Sequence, residues 1–197
     1  MCSSDLLTGE KVTEEYETFK VDGFRLGVRV KEQPPILVGA LREGMLRLAG
    51  REGDGAIVNW LSAEDVRTVA PIVGEGKEVA ARIFVMPSED RAAVRQLGTR
   101  LIAEYLNVPV YAAFHEWVGR GEALRDMWTA WQEGDRKRAT ESIPDEVLDD
   151  LIVHGSPEEC AAHVRRYAAN GITTPAPMIL AGPDDAMRVA RALAPGA

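Results

Sequence analysis

Short apolar runs alternate with stretches of helical periodicity along most of this chain. Continuous apolar runs at 36–38 and 56–58 are typical of strands that are covered on both faces, and residues 79–86 are predicted to form a third strand, of alternating character. Between the first two runs, apolar residues recur at helical spacing over 45–49, and three glycines follow them. The segment 34–60 is therefore predicted to form a strand, tight turn, helix, Gly-rich turn and strand. Such a parallel crossover unit gathers its loops at the carboxyl ends of its strands, where folds of this kind bind ligands.

The first thirty residues follow a different pattern. From Val12 to Val30, aromatic or β-branched residues alternate with polar ones, and Asp22-Gly23 is a favourable turn pair, so we predict a β-hairpin with its turn there. Residues 1–8 are predicted to be disordered or cut from a longer chain. We therefore divide the chain into an N-terminal tail and β-hairpin insertion (1–33) and a main domain (34–197).

The region between the second and fourth predicted strands carries several helix signals. A helix capped by Ser62 should end near Pro71. Further helices are predicted from about Asp90 and after Pro144, the second of these with Ile152 on its buried side. We expect the helices that follow the third strand to form an elaborated crossover.

Two signals mark the end of the chain. Ser156 and Glu159 have the spacing of a capping box at the start of a helix. Thr174–Leu180 is predicted to be the fourth strand, and Pro175 and Pro177 favour an edge position for it, because proline cannot donate a ladder hydrogen bond.

Several short motifs occur along this chain in a distinctive order. They are Gly9-Glu10-Lys11-Val12-Thr13, Phe19-Lys20-Val21-Asp22-Gly23-Phe24, Pro34-Pro35-Ile36, Gly39-Ala40, Leu48-Ala49-Gly50, Asp54-Gly55, Asn59-Trp60 and Gly155-Ser156-Pro157-Glu158-Glu159-Cys160. In this order and spacing they resemble the luciferase-like monooxygenase superfamily, most closely its branch of oxidoreductases that use the deazaflavin coenzyme F420. The resemblance covers nearly the whole chain.

The fold that the resemblance implies is an α/β, partial TIM (β/α)₈ barrel with an N-terminal β-hairpin. The four predicted strands resemble strands five to eight of such a barrel, which needs about eight strands and about 250 residues, whereas this chain has 197. We therefore expect it to form a homo-oligomer, to need a missing N-terminal half, or to be marginally stable.

The coenzyme-binding residues that the resemblance implies begin at the loop after the first strand. There Gly39, Ala40, Leu41 and Arg42 would help to bind the phosphate-bearing tail of F420, with FMN as the alternative coenzyme. Small residues at a helix N-terminus let a phosphate approach the backbone N–H groups, and an arginine adds a charge-assisted contact. The alternative is a tight turn with a solvated arginine.

Asn59 and Trp60, which end the second strand, are the other candidate coenzyme-binding residues. The Asn59 amide offers both donor and acceptor groups, and Trp60 would stack on a flat ring. The alternative is that Asn59 bonds its own loop and Trp60 covers the rim of the core.

The activity implied by the resemblance is hydride transfer between a deazaflavin or flavin coenzyme and a small organic substrate, incomplete in this chain alone. The alternative is a non-catalytic truncated half-barrel or assembly module. No catalytic residue is identified. His115, His154 and His163 lack metal-ligand spacing with the two cysteines, so no metal is predicted, and a structural role is favoured for each histidine.

The composition restricts the partners and the compartment. A net charge of −8 disfavours nucleic acid as a partner. No apolar run reaches the length of a membrane span, and no signal peptide is recognisable. Cys2 and Cys160 imply no disulfide framework, so a reducing cytoplasm is the expected location.

Overall fold

The computed structural model describes residues 2–28 and 30–194 and divides into two compact units, which meet in the sequence between Ile36 and Leu37. The first unit begins with helix α1 (Cys2–Leu7), where the sequence predicted disorder. A β-hairpin follows, as predicted, formed by β1 (Val12–Glu15) and β2 (Lys20–Phe24). Met1 and Arg29, which fall in the ranges predicted for the tail and the hairpin, lie outside the described residues.

The hairpin turn does not lie at Asp22-Gly23. The chain reverses between Tyr16 and Phe19, whose backbone N–H and C=O are hydrogen-bonded at 2.8 Å. Gly23 lies instead within β2, at a register irregularity, with φ +64°. Its N–H donates to the Thr13 hydroxyl oxygen at 2.9 Å. The prediction was wrong because the φ value that favours Asp-Gly at a turn also favours glycine at a bulge.

A parallel sheet organises the second unit. Strand β5 pairs through Ala81 with both Val58 and Pro175, so the strands that carry these two residues lie on its opposite edges. The order across the sheet is thus β3-β4-β5-β7, and each successive strand is parallel to its neighbour. The strands are β3 (Leu37–Gly39), β4 (Gly55–Asn59), β5 (Glu78–Met86) and β7 (Thr174–Ile179). Among the described strands β7 pairs only with β5, which agrees with its two prolines.

Helices cover one face of this sheet. The first core cluster contains Val58, Ile83 and Val85 from the sheet, together with buried residues of the covering helices. The residues between them in the strands point to the other face, where Ile57 is 48% exposed and Met178 is 42% exposed. The covering helices are α2 (Glu43–Glu52), α3 (Val66–Val73), α9 (Pro157–Ala169) and α10 (Pro183–Leu193). The sheet therefore has one well-covered face and one more open face.

Five helices between β5 and α9 form the predicted elaborated crossover. They build a second core cluster, which also contains Trp60, Phe84 and Met86 from the carboxyl ends of β4 and β5. They are α4 (Arg91–Leu106), α5 (Pro109–Trp117), α6 (Gly121–Gln132), α7 (Arg136–Glu141) and α8 (Asp145–Leu151). Since this cluster shares residues with the strand ends, the insert is fixed at the edge of the sheet where the predicted site lies.

Two boundaries differ from the prediction. Ile152, predicted to lie in a helix, begins a short strand, β6 (Ile152–His154), which pairs with the last three residues of β5. Helix α3 continues through Pro71 to Val73. In both cases the buried environment outweighs the local signal, because Ile152 and Val153 are fully buried and Val69 and Val73 anchor α3 in the core.

Candidate functional site

A cleft of about 740 Å³ lies at the carboxyl ends of β3 and β4. Its volume falls within the range of small-molecule sites, which is about 300–1,000 Å³. Three segments form its walls: the loop and first turn that lead into α2, the exposed face of β4, and one side of α5. The lining residues are Gly39, Ala40, Leu41, Arg42, Glu43, Gly44, Met45, Ile57, Asn59, Val110, Tyr111 and Trp117. The structure thus brings together five of the six predicted site residues.

The loop after β3 leaves open space above its backbone. A Cβ atom built on Gly39 or Gly44 would meet no heavy atom within 4 Å. The Ala40 N–H is used in the sheet, where it donates to the Ile57 carbonyl at 3.0 Å. Within the described residues, no side chain caps the N-terminus of α2 at Arg42. The uncapped first turn and the positive end of the helix dipole thus favour an anionic ligand.

The two charged side chains of this loop differ in their partners. Glu43 forms an (i, i+4) ion pair with Arg47 at 2.6 Å, which offsets its negative charge. Arg42 is exposed and has no side-chain partner among the described residues. Within the part of the chain that the structure describes, the loop therefore presents the unpaired charge of Arg42 beside the cleft.

Asn59 lies where the cleft meets the open face of the sheet. Its Nδ2 donates to the Tyr111 hydroxyl oxygen at 3.2 Å. Its Oδ1 accepts from Arg82 Nε at 3.0 Å and from the N–H of Trp60 at 3.0 Å. Each side of the amide is engaged, so the orientation of this side chain is fixed.

Trp60 does not line the cleft. Its ring is 1% exposed and stacks on Phe84, with ring centroids 4.1 Å apart, and it lies 5.1 Å from the ring of Tyr105. Trp60 has φ +53°, and this tight turn directs its ring into the second core cluster. The Oδ1 atom of Asn59 accepts a hydrogen bond from the Trp60 N–H and thereby stabilises the turn. The geometry of this pair is that of the alternative given above: Trp60 packs in the core, and Asn59 forms a hydrogen bond within its own loop.

The loop after β4 is held by a buried ion pair. Arg120 donates to both Asp65 oxygens, at 2.9 and 2.7 Å, and to the Ser62 hydroxyl at 2.9 Å. A further bond reaches Asp150 at 3.0 Å. Because Arg120 directly precedes α6 and Asp65 precedes α3, this cluster fixes the helical insert against the β4–α3 loop.

His115 lies in the same region without a hydrogen-bond partner. It is fully buried, and neither ring nitrogen has a well-formed hydrogen bond within the described structure. Burial and, to a smaller extent, the Arg120 charge lower the pKa of His115 to about 3, although the nearby Trp60 backbone opposes this shift. His115 is therefore neutral at physiological pH and lies outside the cleft lining, which agrees with the structural role favoured for it.

The depressed pKa of His115 makes stability depend on pH. Below about pH 6.5 the histidine binds a proton in the unfolded chain but not in the native one, so stability falls as the pH decreases toward 3. The limiting slope is about 1.4 kcal/mol per pH unit. In His115→Leu this contribution should be absent. Urea unfolding of both proteins between pH 5 and 7 measures it, and a constant difference in unfolding free energy across that range would contradict the assignment.

The other two histidines also lie outside the cleft. His154 Nε2 is 2.9 Å from Asp149 Oδ1 and 3.1 Å from a terminal nitrogen of Arg91. Burial lowers the pKa of His163, which packs beside Tyr167. Within the ranges 2–28 and 30–194, no three His, Cys, Asp or Glu side chains are arranged to hold a metal ion.

A family comparison identifies the chain. The profile of the luciferase-like monooxygenase family matches residues 3–174. This chain belongs to that family. This match confirms the resemblance that the motifs indicated. F420-dependent reductases are among the relatives, in agreement with the branch that the motifs resemble.

Two curated relatives are 5,10-methylenetetrahydromethanopterin reductases. The enzyme of Archaeoglobus fulgidus is 25% identical over 194 residues, and the match covers 91% of this chain and 58% of the enzyme. The enzyme of Methanolobus tindarius is 25% identical over 178 residues, which cover 85% of this chain and 54% of the enzyme. The chain thus spans little more than half the length of these relatives.

Solved structures share the fold. The coenzyme F420 dependent tetrahydromethanopterin reductase from Methanopyrus kandleri superposes with a TM-score of 0.72 at 20% identity, over 94% of this chain and 57% of that enzyme. An F420-dependent secondary alcohol dehydrogenase, in complex with an F420-acetone adduct, gives 0.67 at 16% identity, over 97% and 58%. The α/β fold with a parallel sheet is therefore that of luciferase-like TIM-barrel enzymes.

No helix within residues 2–28 and 30–194 is both long enough and apolar enough to cross a bilayer.

Proposed function

We propose that this chain forms one wall of the coenzyme site of an oxidoreductase that transfers a hydride between coenzyme F420 and a small organic substrate. The cleft is the observation that carries the proposal. Its lining includes Gly39, Ala40, Leu41, Arg42 and Asn59, which the family resemblance assigns to the coenzyme. Two of the similar solved structures are F420-dependent by their own descriptions, which supports the same choice.

The loop after β3 would hold the anionic tail of the coenzyme. Uncapped N–H groups at the start of α2 and the unpaired guanidinium of Arg42 both favour negative charge. Open space at Gly39 and Gly44 admits a phosphate close to the backbone. Because Glu43 is paired with Arg47, its repulsion of the tail is reduced.

The rest of the cleft would hold the ring and exclude water. When bound, a deazaflavin supplies the hydride chemistry, and the protein contributes orientation and electrostatics. Ile57, Val110 and Trp117 offer apolar surface to a flat ring, and Asn59 and Tyr111 offer polar contacts at its edge. FMN is the alternative coenzyme for the same cleft.

Filling the cleft at Gly39 tests the coenzyme assignment. Because a Cβ atom there would meet no heavy atom within 4 Å, Gly39→Leu should fold normally and weaken F420 binding about tenfold or more by occupying ligand space. Gly39→Ala should have a smaller effect. Titration of F420 fluorescence measures the affinities, and a parallel FMN titration decides between the coenzymes. Wild-type chain that binds neither coenzyme, or Gly39→Leu that binds F420 as tightly as wild type, would refute the assignment.

A non-catalytic half-barrel or assembly module is the second candidate, and the exposed apolar residues on the open face of the sheet favour it. The chain covers only 57% and 58% of the two solved structures, and Ile57 and Met178 are exposed on the open face of the sheet. We infer that this chain is the C-terminal half of a (β/α) barrel that acts in a homo-oligomer or together with an N-terminal half. Sedimentation velocity tests this inference. A stable monomer that binds F420 with full affinity would contradict the need for further chain.

A further inference from the structure

Arg82 lies on the open face of the sheet, directly beside the cleft. Strand register places it opposite Asn59 on β4 and opposite Ala176 on β7. The side chain points to the same face as Asn59, since Arg82 Nε donates to Asn59 Oδ1 at 3.0 Å. No sequence motif singled out this residue. It sits in the alternating part of β5, where an arginine resembles any polar residue of a half-buried strand.

The guanidinium of Arg82 carries an unpaired charge. It is partly buried, and within the described part of the chain its two terminal nitrogens have neither a carboxylate nor another hydrogen-bond partner. Glu78 lies four residues earlier in the same strand and on the same face, where it accepts a hydrogen bond from the Thr174 hydroxyl at 2.6 Å. A partly buried cation without a counter-ion costs free energy, so an anion that reached Arg82 would be favoured.

The surroundings of Arg82 hold the guanidinium in place. Its Cζ lies 4.7 Å from the centroid of the Phe84 ring and 5.7 Å from that of Tyr105. These distances are those of cation–π contacts. With Nε held by Asn59, the plane of the group is fixed and its two terminal nitrogens form a fork, which is the geometry that binds a carboxylate through two parallel hydrogen bonds.

Tyr111 adds a donor on the cleft side. Its hydroxyl oxygen accepts from Asn59 Nδ2, and within residues 2–28 and 30–194 its proton has no acceptor. The hydroxyl can therefore donate to a ligand in the cleft. Asn59 thus forms hydrogen bonds with both Arg82 and Tyr111, and each of these two side chains has hydrogen-bond donors without an acceptor among the described residues.

We propose that Arg82, with Tyr111, binds a carboxylate group of the substrate, so that the enzyme acts on a small carboxylate-bearing organic molecule. This inference rests on the proposed function of the cleft, because it places the substrate beside the coenzyme wall. It assigns the substrate end of the site to the open face of β5 and the coenzyme tail to the loop after β3.

Binding of acetate to the full chain tests this proposal, with inorganic phosphate as the comparison anion. The Arg82 Nε–H signal in an NMR titration, assigned with the Arg82→Lys variant, reports binding. Arg82→Gln should weaken acetate binding about tenfold or more, and Tyr111→Phe by about threefold, because each loses donors to a charged group. Arg125→Gln, which removes an exposed arginine on α6, is the matched control and should change nothing. Thermal unfolding of each variant confirms that it is folded.

The outcomes separate this proposal from the coenzyme assignment. Acetate affinity lost in Arg82→Gln, with F420 affinity kept within twofold, supports it. Acetate affinity unchanged in folded Arg82→Gln overturns it, as does tighter binding of phosphate than of acetate at Arg82. Equal loss of F420 and acetate affinity would make Arg82 a coenzyme contact and also overturn it. If wild type binds acetate through Arg82 but does not bind F420, the carboxylate site stands and the coenzyme assignment fails.

Discussion

Replacing Arg120 by alanine should lower the free energy of unfolding by about 3–5 kcal/mol. The side chain is 11% exposed, and that of its partner Asp65 is 8% exposed. Removal of the guanidinium would leave the Asp65 carboxylate buried without its counter-charge. Among the described residues only the Ser62 N–H, at 2.7 Å, would still donate to it. An uncompensated buried charge of this kind is among the largest single losses known for a folded protein.

The electrostatics of Arg120 agree with this expectation. Burial acts to lower the pKa of its guanidinium, but the carboxylates of Asp65 and Asp150 outweigh burial and raise the pKa above its ordinary value. The ion pair therefore favours the charged form despite its partial desolvation. Because the cluster joins the β4–α3 loop to α6, its loss should also loosen the α5 wall of the cleft.

Urea unfolding at neutral pH measures the effect. Arg125→Ala is the control, since that residue is 65% exposed and its partner Glu122 is 92% exposed, and it should change the unfolding free energy by about 0.5 kcal/mol or less. In a double-mutant cycle with Asp65→Ala, the two losses should be far from additive. A loss below about 1 kcal/mol in Arg120→Ala would show that water replaces the guanidinium at little cost.

Gly55→Ala should destabilise the protein by about 3 kcal/mol or prevent folding. A Cβ atom on Gly55 would lie 2.0 Å from the carbonyl oxygen of Glu78, 2.7 Å from its carbonyl carbon and 2.9 Å from its nitrogen. These atoms belong to the backbone of β5, which pairs with β4 at this position. No side-chain rotation can relieve the clash, so the two strands would have to separate.

Gly39→Ala supplies the control for this experiment. It also changes a glycine at a strand position to alanine, but its Cβ meets nothing within 4 Å. We expect its unfolding free energy to stay within about 0.5 kcal/mol of wild type. Circular dichroism during urea unfolding compares the two variants, and equal stability for both would mean that β4 and β5 adapt to the extra methyl group. A large loss in Gly55→Ala alone would explain the glycine of the Asp54-Gly55 motif by close strand packing, at the end of the sheet away from the cleft.

The strands and the loop after β3 could be predicted from the sequence because their signals are local. The apolar runs at 36–38 and 56–58 and the alternating segment 79–86 correspond to β3, β4 and β5 in the structure. The capping box of Ser156 and Glu159 is also present, with both of its reciprocal hydrogen bonds. Such patterns depend only on residues near one another in the chain, and they carry over directly to the fold.

The partners of the site residues could not be predicted in this way. Asn59 meets Arg82 and Tyr111 across separations of 23 and 52 residues. Arg120 meets Asp65 across 55 residues. No spacing rule links such positions. The pairing of β4 with β5 brings Asn59 to Arg82, whereas the packing of the five-helix insert at the end of the sheet brings Tyr111 to Asn59 and Arg120 to Asp65.

The sequence by itself determined the family, the parallel strands and the small-residue loop, because each is encoded by a short run of neighbouring residues. Only the tertiary structure decided that Trp60 belongs to the core and that Tyr111 and Arg82 accompany Asn59 at the cleft. The physical reason is the turn at Trp60. Its backbone conformation, supported by Asn59 and by the stack on Phe84, directs the Trp60 ring into the core, whereas Tyr111 lines the cleft.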